Sequence, residues 1–324
     1  MDKEFQQIIK DCTKSKRIEE QEVIQNLWSG YGKILRYKII SGKVESVVVK
    51  HVKYPDKTNH PRGWNTDISH QRKLQSYQVE TDFYQSYASK CDAACYLPKC
   101  FAVEHRENEV LIVMEDLDAS GFPGRKSLVT LNEMKLCLSW LANFHATFMG
   151  INPEKLWPVG TYWHLDTRPE ELEALEDISL KNAAKNIDTK LNQAQFKTFV
   201  HGDAKLANFC FSENSKKVAA VDFQYIGGGC GMKDVAYFIG SCLYEEDCDK
   251  YENELLDFYF KALQKALKVN NSVFNFIALE KEWRALFPVA WTDFHRFIKG
   301  WSPGHWKINS YSERLAQRVI GQIN

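Results

Sequence analysis

The spacing of apolar positions along the chain alternates between the helical period of about 3.6 and the strand period of about two, and the switches mark out its elements. Residues 1–27 read as an amphipathic helical lead-in, broken by the turn-forming run Trp28-Ser29-Gly30-Tyr31-Gly32. Alternation then predicts a strand over 34–40, a turn at Ser41-Gly42, and a return strand rich in β-branched residues over 44–52. Lys50 interrupts that return strand, and a lysine among apolar neighbours is costly unless it is paired or faces a ligand. A polar segment with two prolines, 54–71, reads as an insertion loop of unknown purpose before a helix over 67–90. Strands are predicted over 101–103 and 110–114. A helix follows, with Met134, Leu138, Leu141, His145 and Phe148 on one stripe. The charge pattern of 169–186 predicts a solvated helix.

Further on, short apolar runs at 199–200, 208–211 and 218–223 read as strands. Asp234 is placed to cap an apolar helix, and Leu256, Phe260, Leu263 and Leu267 share one face of a helix over 249–267. The run GGGCG at 227–231 reads as a flexible turn, because no lysine follows it in the order of a phosphate-binding loop. The chain has no internal repeats.

At 324 residues it is long enough for a sizeable core, and two lobes, 1–115 and 116–324, are favoured over one unit. Apolar residues at 44 % and aromatics at 13 % exclude a disordered chain. Lysine and arginine number 42, as do aspartate and glutamate, so no global field draws in nucleic acid or an anionic membrane. The charged start lacks the apolar stretch of a secretory signal, and no run approaches the roughly eighteen apolar residues of a membrane span. Nine cysteines without paired zinc-ligand spacing point to a reducing cytoplasm. Cys137, Cys210 and Cys242 fall in apolar segments that suit a buried thiol, and no His or Cys cluster completes a zinc site around Cys91, Cys95 and Cys100. Oligomeric state leaves no mark on the sequence.

The most informative stretch is FVHGDAKLANFCF, followed by VAAVDFQ. An apolar strand runs into His201-Gly202-Asp203, Asn208 comes five residues after the aspartate, and a second strand delivers Asp222. Phosphoryl transfer asks for this set: one carboxylate to accept the acceptor hydroxyl's proton, and hard oxygen ligands to hold magnesium against nucleotide phosphates. Asp203 suits the first role, and Asn208 with Asp222 the second. Either aspartate alone fits a turn cap after a buried strand, but that reading does not account for all three spacings.

The pattern resembles the catalytic and metal loops of the aminoglycoside-phosphotransferase and choline-kinase superfamily, and within it most of all the ecdysteroid-kinase-like branch, whose metal motif also reads DFQ. The resemblance spans about 30–306, although its specific motifs occupy only short loops. It implies an α+β, two-lobed protein-kinase-like fold with a small antiparallel-sheet N-terminal lobe and a larger, mainly helical C-terminal lobe. ATP and Mg2+ are the implied cofactors, and a small-molecule alcohol the implied acceptor. Gly30 and Gly32 then belong to a cover over the nucleotide. Lys50 contacts the phosphates and is held by Glu80, which otherwise reads as a surface residue, and backbone groups of Glu115 to Leu117 bind adenine. His145 is implied to be a buried structural histidine, and Asp234 to brace the catalytic loop. One departure concerns Lys205, where many relatives carry histidine or tryptophan. Protein kinases place a lysine there, and a cation can offset charge on the migrating phosphoryl group; a solvated loop lysine is the other reading.

Eleven residues separate Asp222 from Asp234, too few for the activation segment that positions a peptide in protein kinases. A small substrate follows. An inactive nucleotide-binding scaffold is the remaining alternative, against which stand Lys50, Asp203, Asn208 and Asp222, all present. An aminoglycoside acceptor would favour a strongly acidic cleft, which is not expected of the last third, and the resemblance favours a steroid-like or other apolar alcohol. Trp283, Trp291, Trp301 and Trp306 read more readily as core than as the wall of an acceptor pocket.

Overall fold

The computed structural model describes residues 2–27, 30–54 and 67–323. Trp28, Ser29 and most of the 54–71 segment lie outside the described residues. In chain order the elements begin with α1 (Lys3–Thr13), β1 (Arg17–Asn26), β2 (Gly32–Ile40), β3 (Ser46–Lys53), α2 (Asp67–Ser86), β4 (Cys100–Arg106) and β5 (Glu109–Glu115). They continue with α3 (Leu131–Thr147), α4 (Pro169–Glu173), α5 (Ile178–Asn192), β6 (Thr198–Val200), β7 (Phe209–Phe211), β8 (Val218–Ala220) and β9 (Gly227–Gly229). The last are α6 (Met232–Cys242), α7 (Glu245–Val269), α8 (Phe276–Trp301) and α9 (Ser310–Ile323). Two compact units emerge. One holds the described residues of Met1–Lys90 with Leu97–Gly124 and Cys210–Val221, and the other those of Cys91–Tyr96, Arg125–Phe209 and Asp222–Asn324.

The first unit is built on an antiparallel sheet in the order β1-β2-β3-β5-β4. Strand alternation puts Leu35, Tyr37, Ile39, Val47, Val49, Leu111 and Val113 on one face, where they enclose Phe5 and Ile9 of α1. Asp2 starts that helix by accepting a hydrogen bond from Phe5 N at 2.8 Å. The helical lead-in expected over 1–27 ends early, at Lys14 with φ 53°, and Arg17–Asn26 is a strand paired with β2. Its glutamates and glutamines favour a helix by only a few tenths of a kcal/mol each, less than the ladder that β2 offers. As an edge strand it stays largely exposed and charged, which discourages further pairing.

In the second unit α3 opens with a capping box between Thr130 and Glu133. The ammonium of Lys126, followed by the Thr130 amide, lowers the Glu133 carboxyl to about 2. Helix α3 packs on α7, while α5, α6 and α9 pack on α8. The single solvated helix expected over 169–186 is two helices. Asp177 breaks it by capping α5 through Leu180 N at 3.0 Å, and α5 buries Leu180, Ala183, Ala184, Ile187 and Leu191. Cys137 and Cys210 are buried and Cys242 partly so.

The glycine run 227–231 is not a flexible turn. Gly227–Gly229 is a buried strand antiparallel to β6. A Cβ on Gly227 would lie 2.2 Å from Trp157 O and 2.9 Å from Gly160 Cα, so only glycine lets these backbones approach. Because backbone atoms cannot yield as a flexible side chain can, Gly227→Ala is expected to cost at least about 1–3 kcal/mol, read as a lower urea midpoint.

Candidate active site

Strand β6 ends at Val200, and the chain turns through His201-Gly202 to Asp203. Gly202 has φ 80°, and a Cβ there would lie 2.0 Å from Tyr225 O. The turn hangs on Asp234, whose carboxylate accepts from His201 N at 2.5 Å and Gly202 N at 2.9 Å. His145 Nε2 lies 3.1 Å from the same carboxylate and its Nδ1 2.7 Å from Tyr259 Oη, all fully buried. The expectation that Asp234 caps its own helix is corrected here, since Gly231 is the N-cap of α6, while the bracing that the resemblance implies for Asp234 is what the His201-Gly202 turn shows.

Asp203 is buried. Its Oδ2 accepts from Lys205 Nζ at 2.7 Å and Asn208 Nδ2 at 3.1 Å, while Oδ1 is buried without a hydrogen bond. Burial raises its pKa, the Lys205 charge works against that rise, and the charge of Asp222 adds to it. Lys205 keeps its proton more firmly than usual, because Asp203 and Asp222 outweigh the penalty of burial. Asn208 Nδ2 also donates to Asp203 O at 2.8 Å, so its amide nitrogen is committed and Oδ1 is the atom left to act as an acceptor. Asp222 follows β8 with φ 71°, a left-handed conformation that aspartate tolerates better than most side chains. Asp203 and Lys205 form an ion pair at 2.7 Å, and the charge of Asp222 acts on both. Among the described residues no group of three or more His, Cys, Asp and Glu is arranged to hold a metal. An oxygen pair such as Asn208 and Asp222 fits magnesium, which keeps waters and phosphate oxygens in its remaining positions.

The first unit carries the other predicted residues. Lys50 lies on the sheet face opposite Val47 and Val49, and its Nζ is 2.6 Å from Glu80 Oε2 on α2, both buried. Gly32 has φ 125°, and a Cβ would lie 2.1 Å from His51 O, so its glycine is required by the β2–β3 approach itself. Gly30, with φ 78°, has open space where a side chain would be. In the 115–117 segment, Glu115 N donates to Lys99 O at 2.8 Å and Leu117 O accepts from Phe122 N at 2.8 Å. Arg36 Nε anchors the adjoining Asp116 at 2.8 Å.

Three neighbours of Asp203 carry no motif and were not legible in the sequence: Tyr162, Tyr237 and Lys307. The two tyrosine hydroxyls lie 3.2 Å apart, and burial, together with the charge of Asp203, raises the pKa of both. Lys307 Nζ sits 4.7 Å above the Tyr237 ring. The four tryptophans divide. Trp283 is core and donates to Phe196 O at 3.0 Å, Trp301 stacks on Phe297, and Trp291 and Trp306 line a hollow.

A family model described as the ecdysteroid kinase-like family matches residues 32–156 and 159–272, well over half of the chain. The chain belongs to the ecdysteroid kinase-like family. No curated protein matches its sequence. Among solved structures, the Plasmodium vivax ethanolamine kinase aligns with this family member at TM-score 0.51 and 11 % identity, over 94 % of this chain and 82 % of that one. A microcompartment-associated aminopropanol kinase aligns at TM-score 0.48 and 12 % identity, covering 98 % and 92 %. An aminoglycoside-3'-phosphotransferase of type VIII aligns at 0.46 and 14 %, covering 90 % and 99 %. The chain therefore has the α+β, two-lobed kinase-like fold implied by its motifs, with the antiparallel sheet in the N-terminal lobe and the helices mainly in the C-terminal one.

Proposed function

We propose that this ecdysteroid kinase-like chain is an ATP- and magnesium-dependent phosphotransferase that acts on the hydroxyl of a small molecule. The observation that carries the reading is Asp203: a buried carboxylate with one oxygen held by Lys205 and Asn208 and the other without a hydrogen bond. An acceptor hydroxyl that donates to Oδ1 has its oxygen aligned and its proton accepted at one atom. Lys205 offsets charge on the group in transit. Asn208 Oδ1 and the Asp222 carboxylate would hold magnesium, which would supply neutralisation of phosphate charge.

Lys50, fixed by Glu80, orients the nucleotide phosphates under the cover of Gly30 and Gly32, and backbone groups between Glu115 and Leu117 take the adenine edge. The reading thus assigns nucleotide contacts to 1–115 and the two residues that follow, and metal and acceptor contacts to the rest of 116–324. The acceptor is a small-molecule alcohol rather than nucleic acid or a membrane surface, in keeping with the balanced charge. Among the described residues no helix is long and apolar enough to cross a membrane. The nine cysteines are free thiols, which fits a reducing cytoplasm.

ATP with magnesium is expected to raise the melting temperature of the wild type, as a ligand at about one hundred times its Kd adds roughly 2.7 kcal/mol. Asp222→Ala should lose the magnesium-dependent part of that rise, along with ATP consumption on a panel of small alcohols. A magnesium-dependent shift of equal size in the variant would show that the metal is held elsewhere.

A further inference from the structure

Within the second unit, helix α6 meets the catalytic loop with side chains at helical spacing. Asp234 accepts from His201 N and Gly202 N, and Ser241 Oγ, seven residues on, accepts from Leu206 N at 3.0 Å. Positions 234, 237 and 241 are three and four apart and so share one face of the helix. Tyr237 therefore stands between those two contacts, opposite the stretch from Asp203 to Lys205. Its raised pKa agrees with that place, since the charges of Tyr162 and Asp203 add to the effect of burial.

A second segment comes to the same loop. Thr161 N donates to Tyr225 O at 3.2 Å and Tyr162 N to Gly202 O at 3.1 Å, so consecutive amides grip the two loops that carry Asp222 and Asp203. Thr161 has φ 126°, a conformation that a β-branched residue rarely adopts. Such strain persists only where the surroundings hold it. Here Arg168 Nε donates to Tyr162 O at 2.5 Å and Arg296 Nη2 to Trp163 O at 3.0 Å. Each guanidinium is itself paired, Arg168 with Glu171 and Arg296 with Asp293, both at 2.9 Å. The product of this bracing is the meeting of the Tyr162 and Tyr237 hydroxyls at 3.2 Å.

Two hydroxyls that share one hydrogen bond carry two protons, which leaves one proton over. Asp203 Oδ1 is a buried acceptor with no hydrogen bond. We infer that Tyr162 donates to Tyr237 and that Tyr237 in turn supplies its proton to Asp203 Oδ1, as a positioning residue for the base. The inference rests on the phosphotransferase reading and adds a residue to it. Rotation of a carboxylate about its last bond is soft, and Lys205 and Asn208 fasten only Oδ2. A donor at Oδ1 fixes the plane of the group. Because a carboxylate oxygen accepts two hydrogen bonds, the second site on Oδ1 is left for the acceptor hydroxyl, now in a defined direction.

The test is a double-mutant cycle between Tyr237→Phe and Asp203→Asn, read by urea denaturation and by turnover. Asp203→Asn keeps an oxygen for Lys205 and puts a donor nitrogen in place of Oδ1, so the Tyr237 proton loses its acceptor. Tyr237→Phe is expected to lower kcat by about 10-fold to 100-fold, the worth of one hydrogen bond to a charged group, with acceptor KM and nucleotide affinity near wild type. In the Asp203→Asn background the same change should cost nothing further in kcat, and its effect on the urea midpoint should shrink. Tyr162→Phe should lower kcat less than Tyr237→Phe and add nothing to it, and it carries the cycle if Tyr237→Phe does not fold. Equal costs of Tyr237→Phe in both backgrounds, or a loss confined to KM or nucleotide affinity, overturn the inference. Coupled midpoints in a protein that phosphorylates no alcohol uphold the tyrosine contact and remove the phosphotransferase reading. Turnover with uncoupled midpoints and rates removes this inference alone.

Discussion

Asp203→Asn is expected to lower turnover by about 100-fold to 10,000-fold, the usual worth of a general base, with little change in nucleotide affinity. The substitution keeps the shape of the side chain and keeps an oxygen in reach of Lys205 Nζ, now 2.7 Å from Oδ2. What it removes is the capacity to take a proton at the oxygen that has no hydrogen bond. Single-turnover kinetics with an authentic acceptor and a nucleotide titration separate the two effects. Near wild-type turnover in the variant would falsify the assignment of Asp203 as base. A fall in nucleotide affinity as large as the fall in turnover would place Asp203 at the nucleotide instead.

Asp234→Ala is expected to cost about 3–5 kcal/mol of stability, the range for breaking a buried charged network by removing one partner, and to abolish most activity. The carboxylate is fully buried and satisfies two consecutive backbone amides, His201 N and Gly202 N, as well as His145. Removing it strands three donors away from water, and each stranded group carries its own desolvation penalty of about 1–3 kcal/mol. The loop loses its anchor at the same place, two residues before Asp203. Asp234→Asn tests the electrostatic part, because an amide presents one acceptor oxygen and one nitrogen that meets a donor head-on. Urea denaturation gives the stability change. A midpoint within experimental error of wild type for Asp234→Ala would show that the loop is held by other contacts.

Much of the candidate site was legible because its residues lie close together in the sequence. Asp203, Lys205 and Asn208 lie within six residues, and one short hairpin separates them from Asp222. Lys50 announced itself by its cost in an apolar strand, and Glu80, thirty residues on, proved to be 2.6 Å away. The helix stripes of α3 and α7 and the alternation in β2, β3 and β5 were readable for the same reason: each is a property of a few consecutive residues facing one core.

What failed was whatever depended on a distant partner. Glutamate-rich Arg17–Asn26 looks helical by itself and is a strand because β2 lies beside it. Gly227–Gly229 looks like a hinge and is a buried strand because Trp157 and Gly160 press against it. The cap expected of Asp234 failed in the same way, because its carboxylate takes two amides of another segment, which is the bracing that the resemblance already implied. Tyr162, Tyr237 and Lys307 come to Asp203 from three separate parts of the chain and share no spacing that a sequence could display.

The amino-acid order alone therefore determined the family to which this chain belongs and the residues proposed for its chemistry, because an acid, an amide and a second acid stand at short, fixed spacings. Only the folded molecule decided what surrounds Asp203: which of its oxygens is left unbonded, and that two tyrosine hydroxyls meet beside it. Metal-binding oxygens can be supplied by one short stretch, whereas a pocket is closed by side chains that meet only when remote helices pack.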